Sequence, residues 1–480
     1  NLPLSRIELL IEDAIPRTHT EIILCDEATA ARAKRILNEL GYENLTVLTG
    51  GLSSWSLSGR KLFSGVNVPG KAFGEYIENA RGTPALSAIE LKSLLESENP
   101  PLLLDTRTPE EHSSYCIPGA LSCPNGELVW RALHHIESPD QVVIAHCAGR
   151  TRSIIGAQTL IDAGIANPVY SLENGTLAWV FENYELEYNA NRPLSAPKSE
   201  QHDLAVSAAQ RLRDRHAIGV IERSTMEDWR LDADRSVYVF DVRSDEEFSN
   251  RTLPGAYHVP GGQLVQNVDR YLVTRGARVV LFDTDGVRAS ATGAWLRQMG
   301  WREVYTLTLE ITDETLSAPP CIDEISPPTV DDAALESILA QNTGIVVDIR
   351  RSVDYRRGHI PGAWFLTRAR LDEDYSRLPA LTDIVLIADD FQYAALIISE
   401  LESRGRRVWM LDGAMDAWRR NGRAIETGTN HLASEPDDTH LDALDFDETA
   451  VANREGRDYL EWEIALVRQL DGDPGAPYAQ

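Results

Sequence analysis

Leu103-Leu104-Asp105-Thr106-Arg107 reads as an apolar strand ending in Asp-x-Arg, and Ile117-Pro118-Gly119-Ala120 follows it with the residues of a tight turn. The pair occurs twice more. Val239-Phe240-Asp241-Val242-Arg243 precedes Leu253-Pro254-Gly255-Ala256, and Val346-Val347-Asp348-Ile349-Arg350 precedes Ile360-Pro361-Gly362-Ala363, with the same internal spacing. The chain is therefore an internal repeat with a period of about a hundred residues. A short apolar strand followed by a helix that stops at glycine forms a third landmark, over 143–164, 280–300 and 385–405. The fourth is a strand followed by Gly-x-x-x-x-Trp or a close variant: Asn174-Gly175 with Trp179, Gly413 with Trp418, and Gly50-Gly51 with Trp55. The segment Thr306 to Thr315 lacks that glycine and tryptophan, so the last turn of its copy is read as diverged. Strands alternating with helices imply an α/β fold, with a central parallel sheet flanked by helices in each repeat.

The first copy is half a unit. Residues 22–55 supply strand, helix, strand and Gly-Gly-x-x-x-Trp, while the Asp-x-Arg strand and the Pro-Gly-Ala turn are expected upstream of Asn1. The resulting domain reading is 1–62 for the C-terminal half of module 1, 85–190 for module 2, 218–315 for module 3, 329–427 for module 4, and 428–480 for an acidic tail with a C-terminal helix. The tail segment 459–467 has helical periodicity and could dock on a module or on a second subunit.

Chemistry concentrates at His146-Cys147-Ala148-Gly149-Arg150-Thr151-Arg152-Ser153. Val142 to Ala145 has the character of a buried strand, and residues from Ile154 carry helical spacing, so Cys147 falls at a strand-to-helix junction. The first amides of a helix have no intrahelical partner. Together with the macrodipole and two arginines they favour a thiolate at Cys147. Parallel sheets carry their reactive groups at the carboxyl ends of strands, which is where this cysteine lies.

Composition narrows the setting. At 480 residues, 43% apolar and 25% charged, the chain is that of a globular protein of several domains. No apolar run approaches the roughly 18 residues of a membrane span, and the first residues lack a secretory layout. A formal charge of −28 argues against nucleic acid and anionic membranes as partners. The five cysteines are odd in number and without C-x-x-C spacing, which argues against a disulfide framework or a bound metal and for a reducing cytoplasm.

The ordered set of landmarks resembles the rhodanese-like sulfurtransferases, and specifically members with four tandem modules. The resemblance covers nearly the whole chain and rests on the Asp-x-Arg strand, the Ile-Pro-Gly-Ala turn, the Cys-x-x-x-x-Arg loop and the final Gly-x-x-x-x-Trp. It implies a catalytic cysteine, Cys147, that carries a persulfide between a small anionic donor such as thiosulfate and a thiol or cyanide acceptor, with no cofactor. A thioredoxin-like or sulfur-carrier protein is a candidate acceptor. The substrate loop is expected to comprise Ala148, Gly149, Arg150, Thr151, Arg152 and Ser153. At least one of the arginines is expected to touch the donor's oxyanion, while the other could pin the loop.

Aligning strand ends puts Asp26, Asp283 and Asp389 opposite Cys147 in modules 1, 3 and 4, so module 2 is read as the only active one. Cys25 is read as a strand cysteine and Cys321 as a linker residue. Cys123, near the same rim, is a weak candidate resolving thiol, and Cys116 has no assigned role. Asp105 and Arg107 recur in the silent modules, which argues for a structural ion pair. A Cys-based phosphatase or arsenate reductase is the enzyme alternative, but its loop is Cys-x5-Arg, whereas Cys147 to Arg152 is the shorter Cys-x4-Arg. A sulfur-relay scaffold with little catalysis is the non-enzyme alternative.

Overall fold

The structure is a computed structural model that describes residues 2–26, 29–198, 202–309, 315–319, 327–439 and 449–470. The chain divides into two compact units. One comprises Asp13–Pro16, Phe63–Pro320 and Asp442–Gln480; the other comprises Asn1–Glu12, Arg17–Leu62 and Cys321–Leu441. No described helix is long and apolar enough to cross a membrane.

The second unit opens with a two-stranded parallel sheet, β1 (Ile22–Leu24) and β2 (Leu45–Val47). The first unit then supplies β3 (Ala85–Leu86), β4 (Leu102–Asp105), β5 (Leu121–Ser122), β6 (Val143–His146) and β7 (Val169–Leu172), followed by β8 (Gly219–Glu222), β9 (Val237–Asp241), β10 (Tyr257–His258), β11 (Arg278–Phe282) and β12 (Val304–Thr308). The remaining strands, in the second unit, are β13 (Thr329–Val330), β14 (Gly344–Asp348), β15 (Trp364–Phe365), β16 (Asp383–Ile387) and β17 (Arg407–Leu411). Each group of five is one parallel sheet, and in all three the first strand lies beside the fifth, then the fourth, second and third. The repeat found in the sequence is thus a repeat of topology. The two central strands of the first sheet, β4 and β6, are buried along their whole length, as a sheet covered on both faces requires.

Two landmarks are structural devices. In modules 2, 3 and 4 the amide after Pro-Gly closes a turn on the residue before proline, as Ala120 N on Ile117 O at 3.0 Å, and the glycine has positive φ, 84° at Gly119. Glycine takes that conformation without a side-chain penalty. The aspartate of Asp-x-Arg grips its arginine on two edges: Arg107 Nε is 3.0 Å and Nη2 2.8 Å from the Asp105 oxygens, and Arg107 Nη2 also donates to Tyr115 O. Arg243 and Arg350 repeat this with Asp241 and Asp348, reaching Arg251 O and Gly358 O. The pair ties the end of the second strand to the chain entering the turn, the structural role its recurrence implied.

Seven helices frame the first unit's chemistry: α1 (Val68–Arg81), α2 (Pro109–Ser114), α3 (Thr151–Asp162), α4 (Gly175–Phe181), α5 (His202–His216), α6 (Val287–Gln298) and α7 (Thr449–Leu470). The periodic C-terminal segment is therefore a helix, and it docks within its own unit. Leu466 of α7 joins Phe73 and Ile77 of α1, Ile155 of α3 and the β9 and β11 residues Phe240 and Leu281 in one apolar core. Part of the chain beyond residue 427 is also seated. His431 O accepts from Phe365 N at 2.8 Å and Ala433 is fully buried, so this stretch runs beside β15; residues 440–448 of the acidic tail lie outside the described residues.

Candidate active site

Cys147 is the residue after β6, and α3 begins at Thr151, so the loop between them is Cys147 to Arg150. Cys147 is 2% exposed, and its thiol donates to Ser153 Oγ at 3.7 Å. The Ser153 hydroxyl donates in turn to Arg150 O at 2.7 Å, bracing the loop across its width.

The loop is held from outside by the N-terminus of α4. Thr176 donates from its amide (2.8 Å) and hydroxyl (3.0 Å) to Cys147 O, and Leu177 N donates to Ala148 O at 3.0 Å. A helix start has amides to spare, and here they satisfy loop carbonyls. Gly175 makes the approach possible: its φ is +53°, and a Cβ there would sit 2.3 Å from Cys147 O and 2.5 Å from Gly149 O. The glycine of the fourth landmark is what lets α4 press against the Cys147 loop.

Both arginines expected to meet substrate have carboxylate partners. Arg150 donates from Nε to Glu75 at 2.6 Å and from Nη2 to Glu75 at 2.9 Å and to Glu78, all on α1, and from Nη1 to Asn174 Oδ1 at 3.1 Å. Arg152 forks onto Glu111 at 2.6 and 2.7 Å. Burial opposes the charge on each guanidinium, but the carboxylates outweigh it and raise both above the ordinary arginine value. Burial likewise pushes Glu75 and Glu78 up, whereas Arg152 overcomes burial at Glu111 and holds it down. Glu111 also closes the capping box of α2 with Thr108, so Arg152 ties the start of α3, after the Cys147 loop, to the helix after Asp-x-Arg.

Thr151 donates its hydroxyl to Glu463 of α7. A Cβ on Gly149 would lie 3.2 Å from Tyr459, 3.5 Å from Glu463 Oε2 and 3.7 Å from Leu460, so α7 covers this side of the loop. Behind the loop, His146 is fully buried, and desolvation lowers it to about 4, leaving the ring neutral. Cys123 belongs to the apolar core, where burial pushes its thiol up, which removes it as a resolving thiolate. Cys25 is exposed just after β1; Cys321 lies outside the described residues.

The sequence model of the rhodanese-like domain matches residues 87–182, 226–312 and 331–421. The chain belongs to the rhodanese-like family. Among solved structures it is similar to thiosulfate sulfurtransferase from Pseudomonas aeruginosa, with a TM-score of 0.87 and 37% identity over 99% of this chain and 92% of that one. Among curated proteins it is 29% identical over 124 residues to the "Putative sulfur carrier protein YrkF" of Bacillus subtilis (strain 168), covering 24% of this chain and 66% of that protein's length.

The other rhodanese modules show what replaces the cysteine. Strand register sets His146 against Asp105, Phe282 against Asp241 and Ile387 against Asp348, so the next residues, Cys147, Asp283 and Ala388, are equivalent. Module 4 thus carries Ala388 at this position. The alignment to Asp389 slipped because the loop ahead of the helix Phe391–Glu402 is one residue shorter than the loop ahead of α3. Asp390 there is an ordinary N-cap, accepting from Gln392 N and Tyr393 N. In module 3 the Asp283 carboxylate accepts from the amides of Gly286 (2.5 Å), Arg288 (2.7 Å) and Ala289 (3.1 Å). Burial and the neighbouring Asp285 raise this carboxyl to about 6. Arg288 forks onto Glu247 as Arg152 does onto Glu111.

Of the residues picked from sequence, Cys147 to Arg150 form the loop, and Thr151, Arg152 and Ser153 are the first turn of α3. Glu75, Glu78, Asn174, Thr176, Tyr459, Leu460 and Glu463 were missed. A signal existed for two parts of this set: the fourth landmark contains Asn174, and the periodic tail contains the α7 residues. Neither said where it would land.

Proposed function

We propose that the protein is a sulfurtransferase in which Cys147 carries a sulfane sulfur between a donor such as thiosulfate and a thiol or cyanide acceptor. The observation that supports this best is Asp283. The module 3 loop holds an anion on three amides, and the amides at the equivalent positions in module 2 belong to Arg150, Arg152 and Ser153. An anion at the end of the Cys147 side chain would meet the same cradle.

The Cys147 thiolate attacks the outer sulfur of thiosulfate, the bond between the two donor sulfurs breaks, and sulfite leaves with the electron pair. The product is Cys147 persulfide, whose terminal negative sulfur the cradle stabilises. An acceptor thiolate or cyanide then attacks that sulfur and releases the Cys147 thiolate, giving ping-pong kinetics. Arg150, Thr151, Arg152 and Ser153 serve mainly through backbone amides in this reading, with the arginine side chains fixing loop shape. Ala148 and Gly149 complete its curvature. Module 2, at 85–190, is the catalytic one, and modules 1, 3 and 4 lack the cysteine. A small sulfur-carrier or thioredoxin-like protein is a fitting acceptor, a reading to which the name of the Bacillus relative lends support. Four described cysteines without a disulfide fit a cytoplasmic setting.

Mass spectrometry of the intact chain after incubation with thiosulfate, and separately with 3-mercaptopyruvate, tests the proposal. One added sulfur atom is expected on the Cys147 peptide, and none in Cys147→Ser. Absence of persulfide with either donor, alongside phosphate release from an aryl phosphate, would overturn it.

A further inference from the structure

Glu463 is fully buried beside the Cys147 loop. One of its oxygens accepts from Thr151, and the other, Oε2, faces Gly149 with no hydrogen-bond partner among the described residues. A buried carboxylate oxygen left without a donor is costly and needs an explanation. Its helix is anchored around it: the Lys71 ammonium sits 4.7 Å from the Tyr459 ring centre and 4.8 Å from that of Trp462, Leu460 packs on Leu177, and Leu466 is in the core.

The charges around the loop are unbalanced. The described charges between α1, the loop and α7 include Arg150 and Lys71 as cations and Glu75, Glu78 and Glu463 as carboxylates, with Glu173 acting on Glu78, while Arg152 pairs with Glu111. Carboxylates outnumber cations among these side chains. These carboxylates disfavour a dianion such as thiosulfate, whose attraction to the site comes from the backbone cradle and from Arg152, which acts on Cys147.

From this geometry we propose that Glu463 is a specificity residue of the Cys147 site, whose free oxygen receives an ammonium or other hydrogen-bond donor carried near the sulfur of the donor molecule. The preferred class is then an aminothiol persulfide over thiosulfate. The Cys147 thiolate attacks the terminal sulfur of the persulfide, the sulfur–sulfur bond of the donor breaks, and the aminothiol leaves as its thiolate. Cys147 persulfide is formed with the proton that the donor's terminal sulfur carried. This inference rests on the sulfurtransferase reading and assigns its donor.

The test measures kcat/KM for Cys147 persulfide formation in the full chain with two probes, thiosulfate and cysteamine persulfide, in wild type and Glu463→Gln. The glutamine keeps an oxygen for Thr151 and removes the charge. The substitution is expected to raise the thiosulfate value and lower the cysteamine persulfide value, moving their ratio by about tenfold or more. The wild-type thiosulfate value should rise with added salt as repulsion is screened, and less steeply in the variant. An unchanged ratio, with persulfide still formed on Cys147, would overturn the assignment and leave Glu463 as an anchor for Thr151. Failure of wild type to take sulfur from either probe would instead overturn the sulfurtransferase reading, and this assignment with it.

Discussion

Asp105 accepts from Arg107 and, at 3.0 Å, from His112 Nδ1, with all three side chains out of water. Burial works to raise Asp105, but His146, His112 and Arg107 together hold it well below the usual carboxylate range. Module 3 places Thr252 against Asp241 at 2.8 Å, at the position that Cys116 fills in module 2. His112, four residues earlier, therefore stands in for a group that cysteine does not supply, and Cys116 instead accepts from Arg192 at 3.7 Å. Burial lowers His112, but Asp105 and Cys116 outweigh it and raise the ring to about 9. The folded chain then holds a proton that the unfolded chain has released at the same pH. The stability this confers is complete below the ordinary histidine value and is lost as pH rises through about 9. Urea unfolding from pH 6 to pH 10 should show that loss, and His112→Phe, the residue type at Phe248, should flatten it. An NMR titration placing His112 near its ordinary value would contradict the assignment.

The helix starts explain why some of the site was legible and some was not. Gly175 appeared in the sequence as part of a repeated pattern because the backbone itself demands it: φ is positive, and the space a Cβ would fill holds loop carbonyls. Gly175→Ala should push Cys147 and Gly149 out of place and lower persulfide formation by at least about tenfold, since misplacing a reacting group by a fraction of its radius is costly. Gly119→Ala is the contrast. Its φ is +84° but no atom lies within 4 Å, so a stability loss of about 1 kcal/mol with unchanged activity is expected from thermal unfolding and kinetics. The Glu111 and Glu247 braces were readable only as capping boxes, and their reach to Arg152 and Arg288 needs the fold. Glu463 was invisible as a site residue because it meets Thr151 across 312 residues of chain and nothing local marks a carboxylate on an amphipathic helix.

At the scale of the molecule, three parallel sheets with one strand order carry three different residues after the fourth strand: Cys147, Asp283 and Ala388. The folds were legible because the landmarks are demands of turns, ion pairs and helix starts that every module shares. The slip at Ala388 came from a loop shortened by one residue, which pattern spacing cannot resolve. One sulfur per chain is the expected loading after thiosulfate, counted by intact mass; a second sulfur would mean that Cys25, Cys116, Cys123 or Cys321 also turns over. The Asp283 loop has a use beyond explaining silence. Its amides are occupied by a tethered carboxylate, so above about pH 6 the protein carries an internal reference for the loaded condition in the same spectrum as the Cys147 loop. Amide resonances of Arg150, Arg152 and Ser153 should move toward the pattern of Gly286, Arg288 and Ala289 when sulfur is taken up, and return when it is handed on.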